Sequence, residues 1–424
     1  MIPDPAPGTR PDAFARRSWV LLFVAVCLVA ANLRVTIMGV GPLLDQIAAD
    51  QGVSPAALGA LASVPLLAWG LFSPLAQGIS ARLGMSRTVS GALVVLALGT
   101  VWRSLPGSPL NLWLGTALIG FGLAIGNVLM PAVIKRDFGE RVPLVMGAYT
   151  ALLSGSAAIA AGLVVPISQL ARAGAGAEAG AELGWRIALL ATGALILPAL
   201  AVWIWATRGG SAQATATAQT AAAATSATDH RAGRRIWGDR LAWLVSVYMG
   251  TQSAAFYMLS AWLAPYSTGM GRSAVLAGID VMIYQLMGVA GSMLLPLLNR
   301  GRMRRWTPAL IPAVTLLSAI GMLAAPGVLP LWLVTAGLST GAALTIALTL
   351  TATRSRTAQH AAALSGMAQS VGYLIATVGP IAFGWLHGLN GGWLAPFALV
   401  WLALAVQLGS GLIVGKPRFV LEPR

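Results

Sequence analysis

Gly209-Gly-Ser-Ala-Gln-Ala-Thr-Ala-Thr-Ala-Gln-Thr-Ala-Ala-Ala-Ala-Thr-Ser-Ala-Thr-Asp229 divides the chain into two stretches that read alike. The segment is low in complexity, too polar to cross a bilayer and long for a loop, so it reads as a flexible linker. Before it lie apolar runs near 18–41, 56–79, 88–105, 110–134, 143–168 and 185–207. After it lie others near 240–264, 274–298, 306–325, 329–352, 363–387 and 393–415. Each approaches the roughly 20 residues that a helix needs to cross the hydrocarbon. Six, a break and six predict an all-α membrane protein of about twelve transmembrane helices in two pseudo-symmetric six-helix halves. The expected divisions are a half at 1–208, a linker at 209–239 and a half at 240–424.

Composition agrees. Charged residues are 9% and hydrophobic ones 57% of 424, which excludes an ordinary soluble domain. A membrane β-barrel would need short alternating runs, and these runs are long and continuous. The formal charge of +15 raises the question of nucleic acid, and the placement of that charge answers it. Arg103, Arg172, Arg186 and Arg272 fall on one side of the expected topology and Arg34 falls inside a span; every other Lys and Arg falls on the opposite side. Basic loops orient membrane helices, so both termini and the linker are expected in the cytoplasm of a multi-pass cell-membrane protein, with no nucleic-acid partner. Arg16 and Arg17 precede an apolar run too long for a signal core, so the first span is expected to be retained. Cys27, the single cysteine, lies inside that span and can build neither a disulfide framework nor a cysteine metal cluster.

The two stretches also match each other in detail. Gly122-Leu-Ala-Ile-Gly126 in the fourth span answers to Gly337-Leu-Ser-Thr-Gly341 in the tenth. Gly184-Trp185 answers to Gly392-Trp393, and the basic loop from Arg82 to Arg87 answers to that from Arg300 to Arg305. Between spans 2 and 3, Gly78-Ile-Ser-Ala-Arg82-Leu-Gly84-Met-Ser-Arg87 resembles the basic loop motif of the major facilitator superfamily. Ala81 stands where that motif has an acid, so the charge-paired gate that the resemblance implies for Gly78, Arg82, Gly84 and Arg87 lacks one partner.

Three further segments narrow the resemblance: Asn32-Leu-Arg34 with Val40-Gly41-Pro42, Gly126-Asn127-Val-Leu-Met-Pro131 with Lys135-Arg136-Asp137, and Gly250-Thr-Gln252-Ser253 with Phe256-Tyr257. Together they resemble the cyanate and 2-nitroimidazole transporter family. The resemblance implies the major facilitator fold and alternating access around a central site.

Arg34 is the sharpest candidate for that site. A guanidinium near the bilayer centre costs roughly 2.5 to 3.5 kcal/mol on insertion scales unless it faces a polar cavity or a partner. It reads either as an anion or dipole site or as an arginine tied to helix carbonyls. Asn32 lies about 200° away around a helix, so with Thr36 it reads as a stripe bonding a neighbouring helix. Asn127 stands one turn before Pro131, which cannot donate a backbone bond, and is a candidate solute contact. Gln252 and Phe256 share a face of span 7, with Tyr257 about 100° beyond, and amide with aromatic groups suits a small planar solute. Gln285 in span 8, Gln369 and Tyr373 on one face of span 11, and Tyr149 in span 5 complete the candidate set. For each aromatic the plain alternative is packing between helices. Asp280, early in span 8, is the candidate for proton coupling, with hydration at the outer surface as its alternative. His230, His360 and His387 form no relay, and no metal or cofactor is expected.

These residues predict a secondary transporter moving a small polar or anionic, cyanate-like solute across the bilayer, functional as a monomer. An exporter of small aromatic toxicants such as nitroimidazoles is the first alternative, and a non-transporting membrane sensor a distant one. An enzyme would need a metal cluster, a nucleophile with its base or paired acids within the spans, and none is present.

Overall fold

The computed structural model describes residues 13–175, 177–208 and 235–422, all turns and helices without a strand. The first half comprises α1 (Ala13–Met38), α2 (Leu44–Gln51), α3 (Pro55–Leu83), α4 (Met85–Arg103), α5 (Pro109–Asp137), α6 (Val142–Ala175), α7 (Ala177–Ala191) and α8 (Ile196–Thr207). The second comprises α9 (Arg240–Gly269), α10 (Ala274–Leu298), α11 (Thr307–Ala324), α12 (Leu329–Thr353), α13 (Ala358–Asn390) and α14 (Leu394–Val414). Most of the expected linker, 209–234, lies outside the described residues.

Eleven helical stretches are long and apolar enough to cross a membrane among the described residues. The twelfth crossing, α9, is not one of them, and its surroundings say why. It buries 22 of its 30 residues, including Tyr248, Thr251, Gln252, Ser253 and Ser260. A helix that faces protein rather than lipid can carry polar groups that the bilayer would reject.

Local sequence sets the ends. Ser54 and Ser273 cap α3 and α10 by accepting backbone N–H bonds from Ala57 and Leu276, and Asp239 caps α9 from Leu241 and Ala242. Between α3 and α4 the whole turn is Gly84, at φ 85, a conformation that only glycine adopts without strain.

The expected span at 185–207 is a crossing with a break in its helix: α7 ends at Ala191 and α8 begins at Ile196. Pro198 lacks the N–H that would reach the carbonyl of Ala194, and its ring crowds that carbonyl. A break at this depth needs its polar groups satisfied from elsewhere. Asn32 Nδ2 donates to Leu195 O at 3.2 Å, and Arg103 Nη2 donates to Thr192 Oγ1 at 3.0 Å. Asn32 thus bonds the break itself, while the Thr36 hydroxyl expected beside it in a bonding stripe has no partner.

The seams between the halves run along α3 against α13 and α6 against α10, and both open in the same direction. A Cβ on Gly59 would lie 2.2 Å from Pro380 O, and one on Gly70 2.9 Å from Leu374. Further along, at Gly78 and Gly366, a Cβ would meet nothing within 4 Å. On the other seam Gly162 abuts Met282 and Gly278 abuts the carbonyl of Ala161, whereas Gly155, two turns from Gly162 on the same face, meets nothing. Thr268 Oγ1 to Asp45 Oδ2, at 2.8 Å, adds a polar clasp at the closed end. The bundle is closed at the end away from the termini, here called the outer side, and open toward the side that carries them.

The arginines sorted to the outer side are not free loop charges. Arg103 and Arg186 are buried, and Arg272 is paired with Asp280 at 2.8 Å, so the surface bias toward the termini side exceeds what counting implies. With Cys27 replaced, single cysteines at Ser211 and Ser273 are expected to be labelled from opposite faces by an impermeant thiol reagent. Labelling from the same face would overturn this topology.

Candidate functional site

Arg34 sits where the seams meet. Its side chain is half-buried, its Cζ lies 6.0 Å from the ring centre of Trp69 on α3 and 5.9 Å from that of Phe256 on α9, and it makes no hydrogen bond or ion pair among the described residues. Both aromatic distances are at the edge of cation–π range, so they position the group weakly and leave its five N–H donors unfilled. The alternative reading, an arginine tied to carbonyls, is not what the geometry displays.

The walls are aromatic. Trp69 stands edge-on to Tyr373 of α13 at 5.3 Å and to Tyr257 of α9 at 6.1 Å. Phe256 meets Tyr257 at 5.0 Å and stacks on Tyr284 of α10 at 6.0 Å, with 27° between the planes. Tyr149 of α6, Tyr257 and Tyr373 all lie within the field of the Arg34 charge. Trp69 Nε1 is buried without an acceptor, a second unfilled donor in this group. Four of the expected residues beside Arg34, namely Tyr149, Phe256, Tyr257 and Tyr373, therefore converge from three helices.

The amides divide differently. Gln285 is 5% exposed and its Nε2 lies 3.1 Å from Met38 Sδ, a contact between the two halves. Gln252 is buried and accepts from the Ser253 hydroxyl at 3.2 Å, and Gln369 donates to Ser365 on its own helix at 3.0 Å. No hydrogen bond among the described residues ties Gln252 or Gln369 to Arg34. Asn127 is half-buried on α5, which continues through Pro131; its side chain makes no hydrogen bond among the described residues, and its carbonyl lacks the donor that residue 131 would give in a regular helix.

Asp280 is 1% exposed, which departs from the alternative of a hydrated surface carboxylate, and holds a two-pronged ion pair with Arg272, Nε to Oδ2 at 2.8 Å and Nη2 to Oδ1 at 2.9 Å. Ser267 Oγ donates to the same Oδ2 at 2.6 Å. Both carboxylate oxygens accept from donors within the protein. The carboxylate ties the end of α9 to the turn that starts α10. At the basic loop, Arg82 and Arg87 are exposed and make no ion pair among the described residues, as the missing acid at Ala81 implies.

Two residues of the site, Trp69 and Tyr284, were missed by sequence reasoning, as was the buried Arg103 outside it. A tryptophan near the middle of a span, rather than in the interfacial belt, is a signal for the first. Tyr284 directly precedes Gln285 and carries no further mark. Arg103 sits at the end of a run, where any arginine reads as a loop charge.

Residues 22–380 match the sequence profile of the Major Facilitator Superfamily. A 2-nitroimidazole transporter of Escherichia coli (strain K12) is 36% identical over 97% of this chain and 99% of its own. The cyanate transport protein CynX of the same organism is 27% identical over 89% and 92%. Among solved structures, a bacterial homologue of the human lysosomal transporter Spinster, inward-facing and unoccupied, superposes with a TM-score of 0.74 at 17% identity, covering 96% of each chain.

Proposed function

We propose that this chain, which belongs to the Major Facilitator Superfamily, is a transporter of the kind found among nitroimidazole and cyanate carriers and moves a small planar solute with an anionic or nitro edge. The observation that carries the reading is the unfilled Arg34 guanidinium between the rings of Trp69 and Phe256. A planar fork of donors matches two coplanar oxygens, and the aromatic faces match a ring. The free indole N–H of Trp69 supplies another donor to the same solute. Cyanate is the second reading, favoured by the charge of Arg34 and by the relative that carries cyanate; it makes little use of the aromatic walls.

Alternating access follows from the seams. Opening toward the termini side and closure on the other corresponds to a cytoplasm-facing state, with the two halves hinged across the centre. Asp280, fully engaged by Arg272 and Ser267, acts in this reading as a clasp of the second half and not as the proton carrier.

Competition binding to the purified chain separates the substrates. A nitroimidazole or a small aromatic carboxylate is expected to displace bound labelled 2-nitroimidazole at concentrations at least about tenfold below those of cyanate, the equivalent of about 1.4 kcal/mol from the ring faces. The reverse order would favour cyanate. Flux in proteoliposomes with and without a pH gradient, for wild type and Asp280→Asn, reports direction and coupling; loss of pH dependence in the variant would overturn the clasp.

A further inference from the structure

We propose that Arg103 and the small cavity beside it form a second binding site, for one small monovalent anion of about the size of a halide or cyanate. Arg103 ends α4 and is 1% exposed. Nη1 donates to Thr36 O at 2.7 Å, and Nη2 donates to Thr192 Oγ1 at 3.0 Å and to Leu189 O at 3.4 Å, while Nε has no partner. These acceptors are neutral. They fill donors without cancelling the charge, and no carboxylate pairs with Arg103 among the described residues. Asp50 faces Arg186 and Asp280 faces Arg272. The position is built rather than incidental, because Gly115 on α5 leaves room where a Cβ would lie 2.3 Å from the Arg103 backbone nitrogen.

The cavity holds about 30 Å³ and is lined by Arg103, Thr36, Tyr257 and Ser260 among mostly apolar neighbours, with the Thr116 hydroxyl already bonded to Leu112 O. That is room for about one or two waters, or one ion of similar bulk, and too little for a ring. Thr36 Oγ1 and Ser260 Oγ are both buried without a hydrogen-bond partner. An uncancelled guanidinium with a free N–H and two unengaged hydroxyls around one small void is a set of donors lacking an acceptor. An anion supplies it and neutralises the charge in the same step.

Thr36 and Arg103 belong to the first half, and Tyr257 and Ser260 to the second, so the void exists only while the outer side is closed. Gly41 also lines it, and there a Cβ would lie 2.8 Å from Ser260 O across the seam. A bound anion therefore favours the closed form over any form in which these walls part.

The site adjoins the Arg34 group across Tyr257 but has its own charge and hydroxyls, and its test is independent of the solute. Chloride-35 line broadening on the purified full-length chain, at constant ionic strength with gluconate as the replacement, reads halide binding directly. Broadening is expected in wild type and in Arg34→Gln. Thr36→Val combined with Ser260→Ala removes no hydrogen bond of the protein, so it should fold normally while weakening chloride about tenfold. Arg103→Gln should abolish binding. Displacement of chloride by cyanate would assign the site to both anions, and failure to displace would assign it to halide alone. Absence of broadening in wild type, its loss in Arg34→Gln, or unchanged affinity in the double variant would overturn the proposal and leave Arg103 as a brace for the break between α7 and α8.

Discussion

Replacing Arg34 with Gln is expected to weaken solute binding roughly a hundredfold and to leave the melting temperature unchanged or higher. The two halves of that expectation come from one observation. Arg34 makes no hydrogen bond or ion pair among the described residues, so its removal costs the empty protein only two weak ring contacts and relieves an unpaired charge. With solute present, two charge-assisted bonds disappear, at about 1.5 kcal/mol or more each. Arg34→Lys keeps the charge and loses the fork, so it should retain much of the affinity for cyanate and little of that for a nitro or carboxylate edge. Isothermal titration on samples of matched folding, with a melting curve for each, measures both parts. Unchanged binding with a lowered melting temperature in both variants would make Arg34 a structural residue.

The span positions and the two-half plan were legible because lipid imposes a coarse rule: about 20 apolar residues per crossing, with charge confined to the ends. Arg34 was legible by violating it. Arg103 was not, because the same rule expects an arginine at the end of a run, and only three-dimensional packing shows that α4 stops inside the bundle, with its last residue directed at Thr36 and Thr192. The break between α7 and α8 could have been read from Pro198 and Gly193, yet the hydropathy of 185–207 is high enough to mask it. The aromatic partners were half legible. Periodicity placed Phe256 and Tyr257 on adjoining faces of one helix, but nothing in α3 alone says that Trp69 meets Tyr257 and Tyr373, since that convergence is a property of the seams.

Seams of this kind explain why glycine is frequent here, at 49 residues, without being interchangeable. Gly99, Gly115 and Gly122 fit α4 against α5 within the first half, and Gly337 and Gly341 fit α12 against α10 within the second. In the proposed alternating access those contacts belong to bodies that stay rigid while the halves move. Gly41, Gly59 and Gly70 lie between the halves, so a side chain there acts on the equilibrium between states more than on folding.

Gly59→Ala is therefore expected to hold the outer side open and to lower transport by tenfold or more. The added Cβ would stand 2.2 Å from Pro380 O, 2.9 Å from Pro380 C and 3.1 Å from Ile381 Cα, all backbone atoms that cannot rotate away. Relief requires α3 and α13 to part by about 1 Å, and overpacking of a fitted contact costs typically 1 to 3 kcal/mol. On a balanced equilibrium that shifts the population of the closed form by roughly 5- to 150-fold. Gly70→Ala is the control on the same seam: its Cβ meets the tip of Leu374 at 2.9 Å, a flexible end that can turn, so transport should fall little. Pulsed spin-label distances between cysteines at Ser54 and Ser273, one on each half at the outer side, should lengthen in Gly59→Ala and not in Gly70→Ala. Solute binding from the outer face should survive in both, because Arg34 and its rings are untouched. Wild-type flux and unchanged distances in Gly59→Ala would show that the α3–α13 crossing is not the part that closes.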